Sequence, residues 1–354
     1  MPKYLNLPRE GLYIDPLAQI LRKTLLNPIP GLLLWLYTQS NPSSPLTSLS
    51  EPAKWATILG LILLANDSLT FWSRNNWVSD CWGGEKEIVV VTGGAGGIGA
   101  SVACRLGREG VRVVVVDVVP LTYDIAGMKI VYYKCDLSDE IEVKNISDRI
   151  RREVGNPTVL INNAGLCRGQ PISQGSYHDN SITLRTNLLA PFLLTKEFLP
   201  DMIKHDHGHI FTISSMSAYI PPAGVADYAA SKAGLIASHE SLGLELKHTH
   251  KTPRVRTSLA VLSFIKTPLF KGETNQARFL TPLMHVDTVG DAIVDTLYSG
   301  YARTIYLPGI MRFLAGIRGA PEWVQMGIRG ESQKLRVDFR GRQTVDSKTG
   351  KIAS

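Results

Sequence analysis

The 354-residue chain has few cysteines, little charge and no very long apolar run. Its four cysteines, Cys81, Cys104, Cys135 and Cys167, form no CxxC pair. This excludes a disulfide framework or a cysteine-rich zinc module and suits a reducing compartment. Charged residues are 19% of the chain and hydrophobic residues 44%. So much apolar material excludes a disordered chain. No apolar run reaches the ~20 residues a transmembrane helix needs. The apolar material also starts late, with no clean small-residue cleavage site after it, which argues against a signal peptide. No internal repeat is visible. The net charge of +7 is spread along the chain. The tail carries Lys334, Arg336, Arg340, Arg342, Lys348 and Lys351 without interleaved aromatics. It reads as a solvated terminus that adds weakly to membrane-surface attraction, and no nucleic-acid partner is expected.

Three regions differ in character. Residues 1–86 form an apolar extension, uncharged between Lys23 and Glu51, with apolar runs at 28–37 and 55–65. Phe71, Trp72, Trp77 and Trp82 follow, as an interfacial aromatic belt would. Both runs either dip into a bilayer as interfacial or re-entrant segments, or pack as amphipathic helices on the main domain. Residues 87–308 read as one α/β unit. β-branched runs at 88–92, 113–117, 129–133, 159–161, 209–214 and 256–261 alternate with helical patterns at 99–107, 141–154, 181–198 and 226–246. This alternation predicts a doubly wound parallel sheet covered by helices on both faces. Residues 309–354 are a semi-apolar segment followed by the polar tail.

Thr92-Gly-Gly-Ala-Gly-Gly-Ile-Gly99 lies between the first strand and its helix. Glycines let the backbone approach a ligand closely, and a helix N-terminus there offers N–H groups to a pyrophosphate. Asp117 ends the next strand, 18 residues past Gly99, near the ~20 expected for an acid that binds the adenosine ribose hydroxyls. A carboxylate there repels a 2′-phosphate, so NAD is the expected cofactor. Tyr228-Ala-Ala-Ser-Lys232 places a phenol and an ammonium on one helix face. A nearby cation favours the phenolate, so Lys232 is expected to lower the Tyr228 pKa toward general acid/base use. Ser215 follows a strand at the sheet edge where open α/β sheets bind ligands, and its hydroxyl suits a developing alkoxide.

The glycine spacing, with Thr92, Gly93, Gly97, Ile98 and Gly99, resembles the short-chain dehydrogenase/reductase family. Asn162-Asn-Ala-Gly165 is similar to the sheet-stabilising motif of that family, and Asp136-Leu137 to its adenine contact. The resemblance spans residues 88–269. It implies a catalytic set of Asn187, Ser215, Tyr228 and Lys232, with Asn187 holding a relay water and Lys232 the nicotinamide ribose. It also implies cofactor contacts at Asn163, Ala164, Gly165, Ile265 and Thr267. Leu262-Ser263 depart from the family's Pro-Gly pair, which leaves the contact at Ile265 and Thr267 less constrained. No metal is expected, because His205, His207 and His209 lack a supporting cysteine or carboxylate cluster and read as a solvated loop.

The apolar extension and the run Phe198-Leu-Pro200 with His207-Gly-His-Ile210 resemble the membrane-associated 17β-hydroxysteroid and retinol dehydrogenase group. The resemblance implies a lipophilic alcohol or carbonyl substrate. The N-terminal apolar segments point to a cytoplasm-facing membrane, endoplasmic reticulum or lipid droplet, and the sequence leaves open whether the chain forms a homodimer. A soluble cytoplasmic tailoring dehydrogenase and a non-catalytic NAD-binding sensor are the alternatives. A pure binder has no use for a general acid, so the intact residue set favours an enzyme.

Overall fold

The structure, a computed structural model, describes residues 8–267, 269, 271–273, 277–331 and 336–338. The basic residues Lys334, Arg340, Arg342, Lys348 and Lys351 lie outside them. The chain divides into two compact units, one ending at Trp77 and one beginning at Val78.

In the first unit, α1 (Ile14–Lys23) is amphipathic, exposing Leu17, Ile20 and Leu21. Asn27 caps α2 (Pro28–Ser40) by accepting from the Ile29 N–H, and Pro28 opens it where no amide donor is needed. A 3-10 turn (Pro45–Leu49) leads into α3 (Ser50–Arg74). The two helices run antiparallel in close contact. A Cβ on Gly31 would stand 2.7 Å from Thr57 Oγ1, and one on Gly60 2.8 Å from the Leu26 carbonyl oxygen. Small residues at a crossing allow such approach. The apolar run at 55–65 is thus the middle of a 25-residue helix, about 37 Å long at ~1.5 Å per residue. Together with the turn before it, this is the one helix among the described residues long and apolar enough to cross a membrane. Sequence alone undercounts it because flanking polar residues interrupt the run. Large side chains stay exposed, Leu33 at 63% and Ile62 at 60%.

In the second unit β-branched runs build the strands. They are β1 (Ile88–Thr92), β2 (Arg112–Asp117), β3 (Ile130–Lys134), β4 (Val159–Asn162), β5 (Gly208–Ser215), β6 (Val255–Leu262), β7 (Lys271–Glu273), β8 (Thr304–Leu307) and β9 (Arg336–Asp338). Seven form a parallel sheet in the order β3-β2-β1-β4-β5-β6-β8, and β7 pairs antiparallel with β9. Every residue of β1 is buried, as expected of a strand covered on both faces.

The helices are α4 (Gly97–Arg108), α5 (Glu140–Glu153), α6 (Tyr177–Leu184), α7 (Ala190–His205), α8 (Ala226–Leu244), α9 (Val286–Tyr298), α10 (Met311–Ala315) and α11 (Glu322–Glu331). On one sheet face Val90, Val114 and Val116 pack with Ile146, Ile150, Leu194 and Phe198 of α5 and α7. The alternate residues Val89, Val91, Val113 and Val115 are equally buried on the other face. α4 lies against α9, where Ser101 donates to Asp287 at 2.6 Å and Arg105 pairs with Asp291 and Asp295. The chain order reverses between β1 and β4, which opens a ligand crevice at the strands' C-terminal ends.

The second unit begins before Glu87. The Val78 carbonyl accepts from Arg256 at 2.6 Å, and His207 lies between Asp80 and Glu87 at 3.0 and 3.1 Å. The three histidines therefore do not form a solvated loop. His205 is exposed, His207 is an ion-pair bridge, and His209 is buried in β5 against Ser258 at 2.8 Å. No His, Cys, Asp or Glu cluster fit for a metal occurs among the described residues.

Hydrogen bonding to Glu87 raises the His207 pKa to about 9, while burial pushes His209 down to about 3. A raised pKa stabilises the fold fully below His207's ordinary value of 6.5, and that stability fades as pH rises through about 9. The thermal midpoint should therefore fall between pH 6.5 and 9.5, and His207→Gln should flatten that fall. Parallel profiles for the two proteins, measured by calorimetry, would remove His207 from the account.

Candidate active site

The turn after β1 is shaped by close backbone approach. Gly93 has φ +64°, and a Cβ on Gly99 would stand 2.3 Å from the Gly93 carbonyl oxygen. Only glycine fits at residue 99 without displacing that carbonyl. α4 then starts at Gly97 with its first amides facing the turn. Thr92 ties β1 to β4: its hydroxyl donates to the Ile161 carbonyl at 3.1 Å and accepts from the Asn163 and Ala164 amides at 3.0 Å. Asn163 donates back to the carbonyls of Thr92 and Gly93 at 2.9 and 3.1 Å.

Asp117 closes β2 beside this turn. Its carboxylate accepts from the Ala95 amide at 2.9 Å and from the Val118 and Val119 amides at 2.8 and 3.3 Å. Burial outweighs those bonds, and its pKa lies above the ordinary value. Asp136 holds the Ser138 amide and hydroxyl at 2.9 and 2.8 Å and lines a separate concavity with Val118. Leu137 is a core side chain, 7% exposed, so any cofactor contact there falls to its backbone.

Most of the remaining residues, though not Ala164 or Asn187, line one cavity of about 260 Å³. Ile98, Asn163, Gly165, Ser215, Tyr228 and Lys232 line it, together with Ile265 and Thr267 from the loop after β6. Ser215 lies close enough to the Tyr228 hydroxyl to lower its pKa, and Ser215 Oγ accepts from the Ser217 amide at 3.2 Å. α8 is fixed to β5 at two points. Lys232 Nζ donates to the Ile213 carbonyl at 2.9 Å, and Ser214 Oγ to the Lys232 carbonyl at 2.8 Å.

Asn187 sits on a π-turn (Arg185–Leu189), a kink often found at functional sites. It is fully buried. Its Nδ2 donates to the Leu166 carbonyl at 2.8 Å and to Ser231 Oγ at 3.2 Å, and its Oδ1 accepts from the Leu166 amide at 2.8 Å. It thus joins the turn after β4 to α8 behind Tyr228.

One electrostatic expectation is corrected. Burial raises the Tyr228 pKa, neighbouring Cys167 adds to the rise, and the Ser215 bond only partly offsets it. The Lys232 ammonium lies 5.7 Å from the ring centroid and donates to the Ile213 carbonyl. Burial pushes Lys232 itself down to about 8.

Residues 87–278 match the family model for short chain dehydrogenases. The chain belongs to the short-chain dehydrogenase family. The family binds a nicotinamide cofactor, and the chain is an oxidoreductase. Among its relatives is Dehydrogenase RED2 of Cochliobolus heterostrophus, 36% identical over 65% of this chain and 86% of that protein. Epidermal retinol dehydrogenase 2 of Mus musculus is 30% identical over 66% of this chain and 77% of that protein. A metagenomic short-chain oxidoreductase solved in complex with NADP matches at a TM-score of 0.51 and 28% identity, covering 63% of this chain and 97% of that one.

The sequence reading missed part of the cavity wall. Ile220, Phe264, Met311 and Leu314 line it, the last two from α10, beyond Pro308. The i, i+3 spacing of Met311 and Leu314, on one helix face, is the signal in sequence.

Proposed function

We propose that the chain interconverts an alcohol and a carbonyl on a lipophilic small molecule such as a steroid, retinoid or fatty alcohol, with NAD(H) as cofactor. One observation carries the reading: Ser215, Tyr228 and Lys232 line a single cavity that Ile220, Val225, Leu262, Phe264 and Leu314 make largely apolar, with Ser217, Ser263 and Thr267 among its few other polar groups. An apolar cavity with a few convergent polar groups suits a lipophilic substrate.

The glycine turn and the α4 N-terminus fit a dinucleotide, since Ile98, Asn163 and Gly165 share the cavity with Tyr228. In this reading Thr92, Gly93, Gly97, Gly99 and Ala164 shape the pyrophosphate cradle. Asp117, Asp136 and Leu137 hold the adenosine end, and Ile265 and Thr267 the carboxamide end. When bound, the nicotinamide supplies or accepts the hydride. The raised pKa keeps a proton on Tyr228 at neutral pH, so its hydroxyl donates to the carbonyl oxygen in reduction. Oxidation runs the same transfer in reverse and needs Tyr228 ionised, so the raised pKa favours reduction at neutral pH and oxidation at alkaline pH. Ser215 donates a hydrogen bond to the same oxygen as negative charge grows there. Lys232 holds the nicotinamide ribose, and Asn187 anchors the relay water.

Asp117 supports NAD over NADP. The cation on its own strand, Arg112, lies at the other end of β2 and donates to the Lys86 carbonyl at 3.3 Å. NAD should exceed NADP by about tenfold in kcat/KM, equivalent to ~1.4 kcal/mol, and Asp117→Ser should erase the margin. The NADP-bound relative favours the opposite reading, as does Lys134, aligned with Asp117 on β3. Equal or reversed efficiencies in the native enzyme would select it.

The N-terminal unit supports attachment to a cytoplasm-facing membrane, endoplasmic reticulum or lipid droplet. The exposed apolar side chains of α2 and α3, the length of α3 and the amphipathic α1 all fit lipid. The full chain should sediment with membranes and require detergent for release, while a chain starting at Val78 should stay soluble. A full chain recovered in the soluble fraction without detergent would refute the attachment.

A further inference from the structure

α10 has two faces of opposite character. Met311 and Leu314 point into the cavity and pack beside Met216, Ala218 and Val261, while Arg312 and Phe313 stay exposed. A five-residue helix has little stability of its own, so its position depends on what holds it. Two anchors follow directly. Ile317 is buried, and Arg318 donates from Nη2 to the Ala218 carbonyl at 2.6 Å. Ala218 ends the short turn Met216–Ala218, and the Ser217 amide of that turn donates to Ser215 Oγ at 3.2 Å. One guanidinium therefore fastens the cavity's apolar wall to the turn that orients the reacting serine.

We infer that α10 is the wall that sets substrate size in this enzyme, and that Arg318 is the positioning residue that fixes that wall relative to Ser215. The inference rests on the proposed alcohol–carbonyl chemistry at the same site and names what selects the substrate there. Met311 and Leu314 fill the cavity on the α10 side, so bulk on the substrate competes with their side chains for volume. Truncating Leu314 opens room for a longer or wider apolar group. Breaking the Arg318 bond lets the whole wall move, which relaxes size selection and also loosens the Met216–Ala218 turn. A Lys at this place keeps a donor for the same carbonyl, whereas a Met keeps only the apolar stem.

The experiment uses the full chain and a series of primary alcohols from hexan-1-ol to hexadecan-1-ol, with all-trans-retinol as a bulky member. Leu314→Ala should raise the ratio of kcat/KM for the largest alcohol over the smallest by roughly tenfold, the size expected of one or two methylenes of pocket space. Arg318→Met should shift the ratio in the same direction and lower kcat across the series, and Arg318→Lys should restore both. An unchanged ratio in Leu314→Ala, or equal profiles for Arg318→Met and Arg318→Lys, would overturn the inference while leaving the proposed function intact.

Binding of hexadecan-1-ol by calorimetry, with NADH present because it cannot accept a hydride, reads the same wall without turnover. Tighter binding in Leu314→Ala supports the inference even if the physiological substrate is not in the series, and unchanged affinity overturns it. Failure of the wild-type chain to turn over any alcohol or the matching aldehydes would count against the proposed function instead.

Discussion

Tyr228→Phe should keep the fold and cofactor affinity and lose roughly 10²- to 10⁴-fold in turnover, the usual worth of a positioned general acid/base. The substitution removes one oxygen from a ring held by α8, and the packing of Lys232 against β5 does not depend on that oxygen. The loss should therefore fall on kcat. Cofactor affinity, read by fluorescence titration, should stay close to wild type. Near-native turnover in this variant would remove Tyr228 from the chemistry and leave the cavity as a binding site.

Ser215→Ala should lower kcat by about 10²- to 10³-fold, or ~2.7–4 kcal/mol, the worth of an oxyanion donor at a dry site. The Ser217 amide then loses its acceptor. The Ser215 bond lowers the Tyr228 pKa, so its loss should move the alkaline limb of the pH–rate profile to higher pH. A drop in kcat with no such displacement would mean that Ser215 serves the substrate oxygen alone. An unchanged kcat would mean that it serves neither.

Much of this was legible before any coordinates, for physical reasons. Buried parallel strands demand β-branched runs, so the first six strands stand out in sequence close to their observed bounds. A phosphate cradle demands glycine where the backbone turns to positive φ or a Cβ would strike a carbonyl, and Gly93, at φ +64°, and Gly99 are such positions. β8 is four residues long and only half buried, too short to stand out, whereas α9 carries a regular apolar stripe at Val289, Ile293, Val294 and Leu297 that makes it legible in the sequence. The π-turn around Asn187 also left no mark, since a helical pattern simply continues through residues 181–198.

The histidines show a different limit. Alternation at 205, 207 and 209 looked like a polar loop, yet the three differ because Asp80, Glu87 and Ser258 come from distant segments. The same holds for the electrostatics of Tyr228. Spacing places Lys232 on the same face, but only the structure reveals that its ammonium turns to the Ile213 carbonyl.

The most direct test of the central claim follows a single hydrogen. The full chain is incubated with NAD and a long-chain primary alcohol carrying deuterium at the carbinol carbon, and the reduced cofactor is analysed by mass spectrometry. The account predicts one deuterium on the reduced nicotinamide, an aldehyde product in equal amount, and neither in Tyr228→Phe over the same time. Reduced cofactor without deuterium, or label transfer undiminished in Tyr228→Phe, would contradict it.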